Sequence, residues 1–269
     1  MFLNYILKKS CSKNLLANIK ERVHYYEMGR KNIPSEDDVI KNQLLDEVFS
    51  LEGNHETEKI AKLKEDFLKH MSKNEANMID SVLQDGLRLL IIYEKEAKYD
   101  NTYENFLRLS RIAKPIFDRI ENSSRWSARD LEFLSVCLAY TKRVEQAIFL
   151  FECALDELKK YYSNHIKGTN NITAWLYNAL SVRFLRMDSS ETDDESYIVE
   201  EKLEDAIEFC EEHNFQFHMS LILVRKGAFF KDEDTINEGL SKLKELGEDK
   251  AYEIMLKVVE DYKKRWEDF

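Results

Sequence analysis

Glycine and proline are nearly missing, with seven of one and two of the other in 269 residues. β-rich folds make many tight turns, and tight turns use both residues. Their scarcity, with abundant Leu, Glu and Lys, argues against a sheet protein and for an almost wholly helical one. Cysteine is sparse too. Cys11, Cys137, Cys153 and Cys210 are scattered, form no Cys-x-x-Cys pair and have no histidine at ligand spacing. That pattern fits reduced thiols in a cytoplasmic protein rather than a metal or disulfide framework. No apolar run reaches the roughly 18 residues of a membrane span. MFLNYILKKS starts apolar, but Lys8 and Lys9 follow the apolar stretch, the reverse of a secretory signal.

The signatures of common chemistry are also missing. The chain has no Gly-rich phosphate loop, no Gly-x-Ser-x-Gly and no His-Glu-x-x-His. Residues 191–212 hold eleven Asp or Glu against one Lys, but no Gly-centred alternation of acids of the kind calcium loops use. No cofactor or metal is expected. The six histidines are dispersed. His213 and His218 could share a neighbourhood, yet a helix break separates them and nothing sets a nucleophile beside either. The expectation is a protein that is not an enzyme. A small all-helical enzyme with a convergent His and carboxylate cleft is the reading from another class.

What is present is helical pattern and charge. The hydrophobic fraction, 43%, is that of a globular chain. The net charge of −11 is unevenly spread: Met1 to Pro34 carry seven Lys or Arg and two Asp or Glu, so +5, which leaves −16 for the rest. An acidic body repels phosphate backbones, so only the first 34 residues could meet DNA on electrostatic grounds. Apolar spacing such as Leu63, Phe67, Leu68 and Met71 is helical. It predicts helices near 55–72, 75–97, 99–121, 127–141, 143–163, 170–187, 196–213, 215–230, 232–246 and 248–267. Ser127-Ala-Arg-Asp130 has capping-box spacing. Asp232 or Asp234 can cap another helix, Asn170 to Thr173 start a third, and Gly247 suits a left-handed stop. Pro115 should kink or break the helix that contains it. SSETDDES reads as a solvated loop, and YIVEEKLEDAIEFCEE as a helix with Ile198, Leu203, Ala206, Ile207 and Cys210 inward.

Paired helices recurring every 35–40 residues or so suggest a tetratricopeptide-like, right-handed helical-repeat solenoid. Ala139, Ala147, Ala154, Ala179, Ala206, Ala228 and Ala251 recur where helices must approach closely. A wall of this kind binds extended peptides or helices, and needs Asn for peptide backbone, Arg for carboxylates and aromatic anchors. AWLYNALSVRFLR meets that need: Trp175, Asn178, Val182 and Leu185 share one stripe, with Tyr177 and Arg183 on other faces. Asn178 either bonds a neighbouring helix or faces a ligand. Arg143, Arg225 and Phe229 are further candidates, whereas Met187 and Met219 read as core. The candidate peptide-binding set is therefore Trp175, Asn178, Arg143, Arg183, Arg225 and Phe229.

From about Trp126 onward the chain resembles the regulatory domain of the Rgg/GadR/MutR-type transcriptional regulators, part of the peptide-pheromone receptor group that includes Rap, NprR, PlcR and PrgX. Four segments bear the resemblance: WSARDLEFLSVCLAYTKRVEQAIFLFECALDEL, LYNALSVRFLR, FQFHMSLILVRKGAFF and INEGLSKLKELGEDKAYEIMLKVVEDY. The resemblance implies a cytoplasmic receptor, usually a homodimer. It would bind a short signalling peptide of the quorum-sensing kind on its concave face, with Asn178 at the family's Leu-x-Asn-Ala asparagine. It also implies an N-terminal helix-turn-helix of the Xre type. HYYEMGRKNIP looks like the end of that recognition helix, LKKSCSKNLLANI like helix one and helix two, and DDVIKNQLLDEVF like the helix that follows.

The N-terminal segment is shorter than the family pattern between Ala17 and Tyr26, where the tight turn and the base-reading first turn belong. Three readings remain. The segment packs without reading DNA; it touches DNA in an altered way through Lys13, Lys20, Arg22, Tyr25, Arg30 and Lys31; or part of it has been lost. The expected organisation is a degenerate helix-turn-helix-like segment over 1–52 and a receptor domain over 53–269. The expected function is peptide-responsive transcription regulation. The alternative is a module without DNA binding that sequesters a partner protein, as Rap-type relatives do.

Overall fold

The computed structural model describes residues 36–51, 56–73, 81–98, 103–162, 166–187 and 189–267. Among the described residues there are eleven α-helices, one 3-10 turn and no strand, so the fold class is all-α. No described helix is long and apolar enough to cross a membrane. The chain divides into two compact units, one ending at Tyr140 and one running from Thr141.

The first unit contains α1 (Glu36–Ser50), α2 (Thr57–Lys73), α3 (Ser81–Lys98), α4 (Tyr103–Glu121), α5 (Ala128–Cys137) and the 3-10 turn Leu138–Tyr140. Each helix packs on the next, and α1 also reaches α3. On α2 the buried residues are Ile60, Leu63 and Phe67, at steps of three and four. Leu68 is exposed because it falls one residue beyond that stripe. Pro115 does not break α4. Its missing N–H costs one backbone bond, but Ala113, Ile116, Phe117 and Ile120 are buried on both sides of it and hold the last turn in line.

Charge ties the same helices together. Arg119 on α4 pairs with the buried Asp85 of α3 and with Asp130 in the first turn of α5. Arg88 supplies a second bond to Asp85, at 2.8 Å. Burial still raises the Asp85 carboxyl above its ordinary range, outweighing the two arginines. Asp130 also closes the expected capping box: Ser127 N–H donates to its carboxylate at 2.8 Å, and Asp130 N–H donates to Ser127 Oγ at 3.2 Å.

The second unit contains α6 (Val144–Tyr161), α7 (Ile166–Phe184), α8 (Ser189–Glu212), α9 (Gln216–Phe230), α10 (Glu233–Glu245) and α11 (Asp249–Glu267). Here α7 packs on α6, α8 and α9, and α9 packs on α8, α10 and α11. The helix breaks follow capping rules. Asn214 and Gly247 take positive φ (58° and 69°) at the ends of α8 and α10. After Gly247, Glu248 N–H reaches Leu243 O at 2.9 Å and Gly247 N–H reaches Lys244 O at 2.9 Å, the paired bonds of a Schellman stop. Asp232 caps α10, accepting from Asp234 N–H and Thr235 N–H.

Two helices start earlier than their sequence pattern indicates. α7 begins at Ile166 rather than Asn170, and α8 begins at Ser189, so SSETDDES is helical rather than a loop. Apolar periodicity cannot see such an extension, because the added turns carry few apolar residues. The buried stripe of α8 is Val199, Leu203, Ala206 and Cys210, at steps of four, three and four. Ile198 and Ile207 are only half-buried at its margin.

All seven expected small residues, from Ala139 to Ala251, are buried. Two glycines let helices approach more closely than a Cβ would allow. A Cβ on Gly239 of α10 would lie 2.7 Å from Ser220 O and 2.8 Å from Val224 N, both α9 backbone. A Cβ on Gly227 of α9 would lie 2.7 Å from Asp232 O and from Ile236 N. The α9–α10 hairpin therefore interlocks backbone on backbone.

Candidate functional site

The stripe read from the sequence of α7 is buried as a whole: Trp175, Asn178, Val182 and Leu185 are each at most 8% exposed. It is not an open surface. Asn178 faces α9, where Arg225 Nη1 donates to its Oδ1 at 2.6 Å and to Ser181 Oγ at 2.9 Å. Ser181 in turn donates to Asn178 O at 2.7 Å. Trp175 meets His218 edge-on, with ring centroids 4.4 Å apart. His218 and Arg225 are seven residues apart, two turns of α9, so both lie on the face that α7 covers.

This pair of helices buries unbalanced polarity. Arg225 is 1% exposed, and among the described residues no carboxylate pairs with it. Its Nε and Nη2, and Asn178 Nδ2, have no hydrogen-bond partner. Burial, reinforced by the nearby positive charge of Arg186, pushes the Arg225 guanidinium down to about 9. It still holds its proton at neutral pH, so the chain keeps a cation in its interior. Burial and the field of Arg225 push the His218 imidazole down to about 3, so it is neutral.

The other candidates go elsewhere. Arg183 is buried, but Nε and Nη2 donate to Thr141 O and Lys142 O, each at 2.8 Å, fixing the chain just before α6. Arg143 stands exposed at the N-cap of α6 and pairs with Glu145 at 3.0 Å. Phe229 is half-buried against Phe230, with centroids 4.9 Å apart. Lys13, Lys20, Arg22, Tyr25, Arg30 and Lys31 lie outside the described residues. Ser181 and His218 were not singled out as site residues. The spacing that could have found them is three from Asn178 and seven from Arg225.

Cys137, Cys153 and Cys210 are free thiols, and burial raises all three above the ordinary thiol range. Thiols held protonated in this way are poor nucleophiles and metal ligands. Among the described residues no group of three or more His, Cys, Asp or Glu could hold a metal ion. Comparison with protein-family models, with curated proteins and with solved structures finds no match.

Proposed function

We propose that this protein is a cytoplasmic, peptide-responsive transcriptional regulator of the Rgg type, whose second unit receives a short signalling peptide between α7 and α9. The observation that carries the reading is the set of buried donors left without acceptors on Asn178 and Arg225. A peptide backbone offers carbonyl acceptors, and an Asn can both donate to and accept from it. The neighbour relations of α7 to α11, in which α7, α9 and α11 contact one another in turn while α8 and α10 pack against that series, support a tetratricopeptide-like repeat.

The donors are sealed, so the peptide reaches them only when α7 and α9 part. Peptide would then shift the population toward the parted arrangement, or toward a dimer built on it. The N-terminal basic segment would carry the DNA output. The test is a screen of short synthetic peptides by thermal unfolding of the full chain, followed by titration of any hit against Asn178→Ala. A hit that binds wild type and weakens at least tenfold in the variant supports the reading. A hit indifferent to the substitution, or no hit at all, sinks it. The acidity of the chain beyond Pro34 favours a second reading, in which the same receptor sequesters a protein partner and leaves DNA alone.

A further inference from the structure

Half-buried Arg119 and buried Arg183 show what this chain does when an arginine serves only to hold helices together. Arg119 faces two carboxylates, and Arg183 directs two of its nitrogens to two backbone carbonyls. Arg225 is different. It is as deeply buried as Arg183, uses one nitrogen of three, and spends that one on the neutral oxygens of Asn178 and Ser181. The charge that bears on it, after burial, is another cation, Arg186. An interior guanidinium without a counter-charge is costly, because neither solvent nor an anion offsets its desolvation. Two free nitrogens on a planar fork match the two oxygens of a carboxylate in spacing and direction. The Asn178 amide meets the opposite side of the guanidinium, at Nη1, and so leaves the Nε and Nη2 edge clear.

We infer that the α7–α9 interface is a carboxylate-binding site, in which Arg225 holds an anionic group of the ligand through Nε and Nη2 when the helices part and Asn178 fixes the guanidinium from its Nη1 side. This deepens the peptide-receptor reading and rests on it only for the source of the carboxylate. A peptide C-terminus and a small free organic acid share that chemistry. An amide-capped peptide does not.

The experiment is thermal unfolding of the full chain at constant ionic strength, with sodium chloride replaced by sodium formate. Parallel arms use N-acetyl-leucine and N-acetyl-leucinamide. The expected result is a midpoint higher by about 2–5 °C in formate and in N-acetyl-leucine than in matched chloride. The amide should leave it unchanged, and Arg225→Met should abolish the difference. A larger effect of N-acetyl-leucine than of formate at equal concentration names a peptide C-terminus as the source, and the reverse names a small acid. If Arg225→Met does not fold, Asn178→Ala serves in its place and should shrink the shift. No carboxylate-specific shift in wild type, or an equal shift in the variants, overturns the inference. A peptide found by the screen that binds equally well with its C-terminus amidated would overturn it too, while leaving the receptor reading intact.

Discussion

At the scale of the residue, His218 makes the sharpest statement about pH. It is fully buried against Trp175, and its imidazole sits near 3 in the folded chain. In the unfolded chain it would take up a proton near pH 6.5. Between those two values the unfolded state binds one proton more than the folded state, so stability is whole above pH 6.5 and falls as pH drops. The slope from this residue is about 1.4 kcal/mol per pH unit. Urea unfolding of wild type and His218→Gln at pH 6.0 and pH 5.0 isolates it, because the acid-sensitive carboxylates are common to both. The variant should lose about 1 kcal/mol less between the two conditions. Parallel losses would mean that the imidazole is reached by water in the folded state. The sequence made Asn178 and Arg225 visible as residue types suited to a ligand, and the stripe through Trp175 and Leu185 visible as a face. It could not show that Arg225 turns its fork to Asn178. Periodicity fixes which residues of one helix share a face, but not the register of that face on another helix.

At the scale of the element, the helices were the most legible part, and their ends were legible wherever a cap was written in side chains. The Ser127–Asp130 box, the Asp232 cap and the Gly247 stop all lie where the sequence puts them. The starts of α7 and α8 were missed because their first turns are polar and match no apolar period. The interlock of α9 and α10 is invisible for another reason: the alanine pattern marks close approach in general, whereas this contact uses Gly227 and Gly239. That contact can be tested against Gly247, where a Cβ would touch nothing within 4 Å but φ is +69°. Gly239→Ala must push α10 off the α9 backbone and should cost about 1–3 kcal/mol in chemical denaturation. Gly247→Ala suffers only the left-handed backbone, and should cost about 1–2 kcal/mol. The two differ in kind. A larger side chain, Gly→Val, should worsen position 239 through clash with the α9 backbone, whereas any added cost at 247 comes from a β-branched residue at positive φ. A position 239 that tolerates valine would mean the two helices slide apart at little cost.

At the scale of the whole molecule, the dominant fact is the separation of charge, +5 within the first 34 residues and −16 over the rest. A phosphate backbone approaching the acidic body is repelled, so any affinity for DNA must come from the basic segment that holds Lys20, Arg22, Arg30 and Lys31. Binding of the full chain to random duplex DNA should therefore be measurable at low salt and steeply weakened at moderate salt. Each phosphate contact contributes about −0.9 to the slope of log affinity against log salt. Replacing those four residues by Ala removes four of the seven basic residues in the segment and leaves its charge at +1, counting +5 less four. The slope should flatten by about 3–4 and the affinity should fall to the limit of detection. Such a result ties DNA binding to the first 34 residues and turns the next question to the operator. Wild type that ignores DNA even at low salt would move the output to a protein partner and favour the sequestering reading. A quadruple variant that binds as well as wild type would mean that the contact is made through some other surface, against the charge distribution of the chain.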